Sequence, residues 1–70
     1  PMAYVESVVE GSPAEKAGLQ ADDLVFRLGG RTIRTCRDFD DALAGRKPGE
    51  EVVVVVKRGV EMLQVTLVLA

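Results

Sequence analysis

Chemistry in a protein needs a proton-transferring group, an activated nucleophile or a set of metal ligands, and the 70-residue sequence offers few of these. It contains no His, which removes the commonest general base and the commonest metal ligand together. Ser12 and Lys16 stand four residues apart, as in a Ser–Lys dyad. Ser12, however, precedes Pro13 and lies three residues before Glu15, the position of a helix N-cap, where a hydroxyl accepting a backbone N–H is worth about 1 kcal/mol. The acids Asp22, Asp23, Asp38, Asp40 and Asp41 do not follow the alternating ligand pattern of a calcium loop, and are expected on solvated faces and at helix starts. Cys36 is alone, so neither an internal disulfide nor a Cys-based zinc site can form; its small side chain is expected to pack near a helix start. Arg27, Arg31, Arg34 and Arg37 crowd together, but acids interleave with them. Gly29-Gly30 lacks the wider glycine pattern of a phosphate cradle. The sequence predicts no catalytic residue, no metal and no cofactor.

The elements that would carry any function can be read from pattern. A chain this short forms one core, and here that core must rest on Val, Leu, Ile and Ala, because the aromatics are only Tyr4, Phe26 and Phe39. Alternation predicts a strand over Tyr4–Val9. Ser12-Pro13-Ala14-Glu15 opens a short helix that Gly18 closes, and Leu19 is placed to pack under its end. A strand follows over Asp22–Leu28, with Leu24, Phe26 and Leu28 on one face and Val25 and Arg27 on the other. The Gly29-Gly30 turn then leads to a short arm, Arg31–Arg34, centred on Ile33.

Thr35 and Asp38 have capping-box spacing, and Phe39, Ala42 and Leu43 form one apolar stripe, predicting a helix over Cys36–Ala44 that stops at Gly45. The unbroken run Val52–Val56 predicts a strand buried on both faces. After the turn Lys57-Arg58-Gly59, Met62–Leu69 alternates Leu63, Val65, Leu67 and Leu69 against Met62, Gln64, Thr66 and Val68, which predicts an antiparallel hairpin. Glu50, Glu51, Lys57 and Arg58 flank the valines as charged gatekeepers. Residues 1–70 read as one α+β domain. A net charge of −2 with scattered cations argues against nucleic acid, and no run of apolar residues reaches membrane-spanning length. What remains is recognition by secondary structure: an apolar helix beside a sheet leaves a groove where an extended peptide can join as one more strand.

The run Gly11-Ser12-Pro13-Ala14-Glu15-Lys16-Ala17-Gly18-Leu19, with Asp22-Asp23-Leu24-Val25 and the Gly29-Gly30 turn behind it, resembles the central segment of PDZ domains. The closest look is to those attached to bacterial HtrA/DegP serine proteases and to membrane-embedded site-2 zinc metalloproteases. Asp38-Phe39, Ala42-Leu43, Pro48-Gly49 and Lys57-Arg58-Gly59 agree as well, so the resemblance spans nearly the whole chain. It implies a small, partly open antiparallel β-barrel or sandwich of about five strands capped by two helices. Asp22 stands where these domains usually carry Gly, and Gly29 where an Asn often precedes the turn.

The resemblance also implies a function, the binding of protein C-termini or extended segments by strand addition. The module would be a fragment of a larger protein, regulating or feeding an attached protease domain in a periplasmic or membrane-associated setting. Such domains hold a ligand's carboxylate on an apolar-Gly-apolar loop. Met2-Ala3-Tyr4 is the candidate here, with Ala for Gly, leading into Val5. The other placement makes Tyr4–Val9 the next strand along, with the binding strand upstream of Pro1. The second groove wall is the longer helix, on which Cys36, Asp40 and Leu43 share one edge, with Phe39 turned to the core and Leu43 receiving the ligand's last apolar side chain. A scaffold or assembly-chaperone role unconnected to a protease is the alternative. The chain is expected to be a monomer or a weak edge-strand dimer, without contact to nucleic acid or membrane.

Overall fold

The first helix, α1 (Pro13–Ala17), begins where the sequence places its cap. The Ser12 hydroxyl accepts the Glu15 N–H at 3.3 Å, and the Glu15 carboxylate accepts the Gly11 N–H at 2.9 Å, one residue earlier than a capping box requires. Gly18 ends it with φ at 93°, a left-handed conformation that costs glycine nothing, and the Leu19 N–H bonds back to the Ala14 carbonyl at 3.0 Å. Leu19 packs against the core, as expected.

The computed structural model describes residues 2–70. After α1 come β1 (Leu24–Leu28), β2 (Arg31–Thr32), α2 (Cys36–Leu43), β3 (Glu51–Arg58) and β4 (Glu61–Val68). The strands form one antiparallel sheet in the order β2-β1-β3-β4. The α+β architecture with two helices and an open antiparallel sheet is the one the sequence predicts, with four strands in place of about five. β3 and β4 pair along their whole lengths, from Glu51 with Val68 to Arg58 with Glu61, around a two-residue turn. The helix predicted to reach Ala44 ends one residue sooner, and Gly45 follows in the left-handed region at φ 79°.

Three readings of the strands give way to tertiary structure. The first concerns the valines. Val52, Val54 and Val56 are buried, but Val53 is 41% exposed and pairs with Thr66 on the outer face, beside Val55 and Gln64. The strand is therefore buried on one face only, because two short helices supply cover for one side of the sheet. The second concerns β1, whose register against β3 shifts between Val25 and Arg27. This bulge inserts Phe26 as an extra residue, so Val25 and Leu28 both enter the core while Phe26 turns 37% of its surface outward. The third concerns Tyr4–Val9. Only Tyr4 makes a bridge, to Leu24, and Val9 is exposed. Pairing holds from the Val25 N–H on the Ala3 carbonyl (2.8 Å) to the Val5 N–H on the Asp23 carbonyl (2.8 Å), and ends because the chain opposite Val5 turns away before β1.

That turn is fixed by a buried ion pair. Asp23 is fully buried, contrary to its expected place on a solvated face, and its carboxylate accepts the Arg58 Nε and Nη2 hydrogens at 2.8 Å each. The same carboxylate accepts the Gln20 N–H at 2.9 Å, and Arg58 Nη2 also donates to the Gly18 carbonyl at 3.0 Å. Two charges thus join the end of α1, the start of β1 and the end of β3. The Arg58 guanidinium holds the Asp23 carboxyl below its ordinary value of 3.8, and the Gln20 N–H acts in the same direction against desolvation; Arg58 is raised in turn, chiefly by its bonds to Asp23.

A carboxylate with a depressed folded-state value stabilises the fold at neutral pH, and that contribution is lost as pH falls below 3.8 through the folded value. Asp23→Asn removes the charge while keeping the shape, and is expected to cost about 2–3 kcal/mol in urea denaturation at pH 7, with the difference from the parent chain shrinking in the acid range. Asp22 is the one non-glycine residue with positive φ, at 72°, among the described residues. Asp22→Gly is expected to raise stability by about 0.5–1 kcal/mol, and Asp22→Ala to lower it, in the same assay.

Candidate functional site

The two stretches that the sequence assigns to a groove do face each other. One is the N-terminal segment, held to β1 by the Ala3 and Val5 bonds described above. The other is α2, whose start is set by a reciprocal cap. The Asp38 N–H donates to Thr35 Oγ1 at 3.2 Å, while Asp38 Oδ2 accepts the Arg34 N–H at 2.9 Å and the Thr35 N–H at 3.2 Å. Those backbone donors, Arg34's foremost, hold the Asp38 carboxyl below its usual range. At the other end of α2, Arg46 Nε donates to the Ala42 carbonyl at 2.8 Å. The helix is thus pinned at both termini, and Ala42 is buried against the sheet.

Between the two walls lies an apolar cavity of about 320 Å³. Residues 3–7 form one side, Cys36 and Phe39 the other, and Val25, Val54 and Leu67 the floor. The wall of residues 3–7 has a free backbone edge. Ala3 and Val5 spend their groups on the turn and β1, and in antiparallel pairing the residues between them point the other way. Tyr4, Glu6 and Ser7 make no backbone hydrogen bond among the described residues. A strand edge beside an apolar cleft can accept an extended chain, with main-chain bonds giving affinity and the cleft selecting side chains. The groups whose acidity is shifted, Asp23, Asp38 and Arg58, all lie outside this cleft.

Of the residues read as a binding site, Ala3, Tyr4, Val5 and Cys36 line the cavity together. Met2 lies in the adjoining groove with Phe26, Ile33 and Arg34. Asp40 is exposed and Leu43 is half-buried against the core; neither lines the cavity. Cys36 is exposed at the helix start rather than packed, its Sγ 3.9 Å from the Met2 carbonyl. Phe39 belongs to the core and to the cavity wall at once. Its place in the Phe39/Ala42/Leu43 stripe signalled burial, but no pattern signalled the opening beside it. Val25, Val54 and Leu67 form the floor because the N-terminal segment covers the sheet only as far as it pairs.

Comparison with known proteins agrees with this architecture. The family model for the PDZ domain matches residues 1–69. Serine protease HTRA1 of Xenopus tropicalis is 32% identical over 65 residues, which cover 93% of this chain and 14% of that protein. The chain therefore corresponds to a small part of that relative's length. Among solved structures, the PDZ domain of the SdrC-like protein of Listeria monocytogenes has a TM-score of 0.82 at 29% identity, over 93% of this chain and 67% of that one. The HtrA3 PDZ domain bound to a phage-derived ligand, FGRWV, has a TM-score of 0.81 at 24% identity, over 96% of this chain and 58% of that one. With the fold, the capped helices and the edge-and-cleft arrangement already in place, the family match over nearly every residue identifies the chain as a member of the PDZ domain family.

Proposed function

We propose that this PDZ domain captures the C-terminal or another extended segment of a protein by adding it as a strand to the edge at Tyr4–Ser7. The unpaired edge beside the apolar cleft carries this reading. The ligand's backbone bonds to Tyr4 and Glu6, and an apolar side chain enters the cleft between Cys36 and Phe39. Burying such a side chain contributes about 1.5–3 kcal/mol, so affinity is modest and selectivity comes from the cleft. Cys36 leads one edge of α2 and Asp40 and Leu43 continue it, reading the ligand's side chains further along. The Met2-Ala3-Tyr4 stretch contributes N–H donors near a ligand carboxylate.

A peptide-bound relative of the same fold supports the reading, as does the serine protease identity of a relative 32% identical to this chain. The domain carries no His and acts by binding, so any proteolysis belongs to a catalytic domain elsewhere in the protein of which it forms part. In that setting it delivers or gates substrates.

Titration with a peptide ending in an apolar residue, followed by backbone amide NMR, is expected to shift Tyr4–Ser7 and Cys36–Phe39 first. Glu6→Pro removes an edge donor that has no partner within the fold, and is expected to weaken binding about tenfold while the folded spectrum is kept. Shifts restricted to the β3–β4 hairpin, or full affinity in the proline variant, would overturn the proposal.

A further inference from the structure

A second strand edge lies on the far side of the sheet, along β4. The hairpin register puts Glu61, Leu63, Val65 and Leu67 in hydrogen-bonded pairs with β3, so the backbone groups of Met62, Gln64, Thr66 and Val68 point outward. No other element of the described residues bonds to them. Strand edges of this length are usually blunted by charge, proline, a bulge or a covering helix; between Met62 and Val68 this one carries none of the first three, and α1 lies beside only its C-terminal part.

Beside the C-terminal end of that edge is an apolar recess of about 340 Å³, between α1 (Pro13, Lys16, Ala17) and Thr66, Val68 and Leu69. At the other end of the edge, in the hairpin turn, stands Val60, which is 94% exposed. Next to it is Glu61, and beside the recess is Lys16; neither has a salt-bridge partner among the described residues.

We infer that β4 is a self-association edge, on which a second copy of the chain adds antiparallel about a two-fold axis through Val65. This register satisfies hydrogen-bonding parity, since outward-facing residues meet outward-facing residues, and among the registers that do so it is chosen for the pairs it makes. It pairs Gln64 with Thr66 of the second copy and Met62 with Val68, a polar pair and an apolar pair, with no like charges opposed. On the inner face it sets the half-buried Leu63 against Leu67, and Val65 against its own copy. The same register brings Val60 of each copy opposite Ala70 of the other, at the mouth of the recess, and Glu61 opposite Leu69, beside Lys16. A bare apolar turn thus meets an empty apolar recess, and Glu61, which faces Arg58 across its own hairpin without a salt bridge, meets Lys16 of the other copy, twice by symmetry. The edge at Tyr4–Ser7 stays open on both copies.

Sedimentation equilibrium of the full chain over a concentration series tests this. A monomer–dimer equilibrium is expected. Val60→Asp, at a turn residue with no contacts to lose, is expected to weaken it by about tenfold or more. Lys16→Glu and Glu61→Lys are each expected to weaken it, and the double variant to restore it, a rescue that a folding defect cannot produce. Glu6→Pro is expected to leave it unchanged. A monomer at every concentration would overturn the inference, and so would a dimer indifferent to Val60→Asp and to the charge exchange.

Discussion

Asp23 and Arg58 are the contact on which the rest of the domain hangs. Their pairing spans residues 35 apart in sequence and ties the end of α1 to the paired strands β1 and β3. A fully buried carboxylate is costly unless every oxygen is engaged, and here the guanidinium and the Gln20 N–H engage both. The consequence reaches the free edge at Tyr4–Ser7. The Asp23 backbone carbonyl holds Val5, and its neighbour Asp22, in a left-handed conformation, donates to the Val5 carbonyl at 2.7 Å. The wall of the cleft is therefore positioned from the turn that the ion pair locks.

The size of the chain sets a second constraint. Two helices of five and eight residues cover one face of a four-stranded sheet and no more. The outer face keeps Val53, Val55 and Thr66 in or near solvent, and the charged residues Glu51, Lys57 and Arg27 share that face by register. The inner face closes over Val52, Val54 and Val56 but is left partly uncovered between the N-terminal segment and α2. That opening is a cavity in a stability sense and, on the proposed reading, the cleft that receives a ligand side chain. A ligand strand bonded to Tyr4 and Glu6 would complete the cover that the chain lacks, which links the affinity of the site to the unfinished core beneath it.

The two free edges differ in chemistry. The N-terminal edge borders an apolar cleft and so suits a foreign chain with a side chain to bury. The β4 edge is long and regular, which suits the self-pairing inferred above. Placing the edges on opposite sides of the sheet order leaves each accessible when the other is occupied.

Local chemistry was legible in the residues. Ser12, Gly18, Thr35 with Asp38, and Gly45 mark helix ends because caps and left-handed turns act within a few residues, and the β3–β4 alternation marks a hairpin for the same reason. The family signature lies in those same local runs. What the residues did not reveal depends on partners distant in sequence. The run of valines cannot announce how many faces will be covered, and Phe26 cannot announce a bulge that arises only against β3. Tyr4–Val9 has the alternation of a strand but, past Val5, no backbone opposite to pair with. Asp23 looks like any surface acid until folding brings Arg58 to it. The sequence by itself determined the elements and the kind of module they form; tertiary structure decided which faces are covered, which edges stay free and which acid is buried, because burial and pairing depend on what the rest of the chain brings alongside.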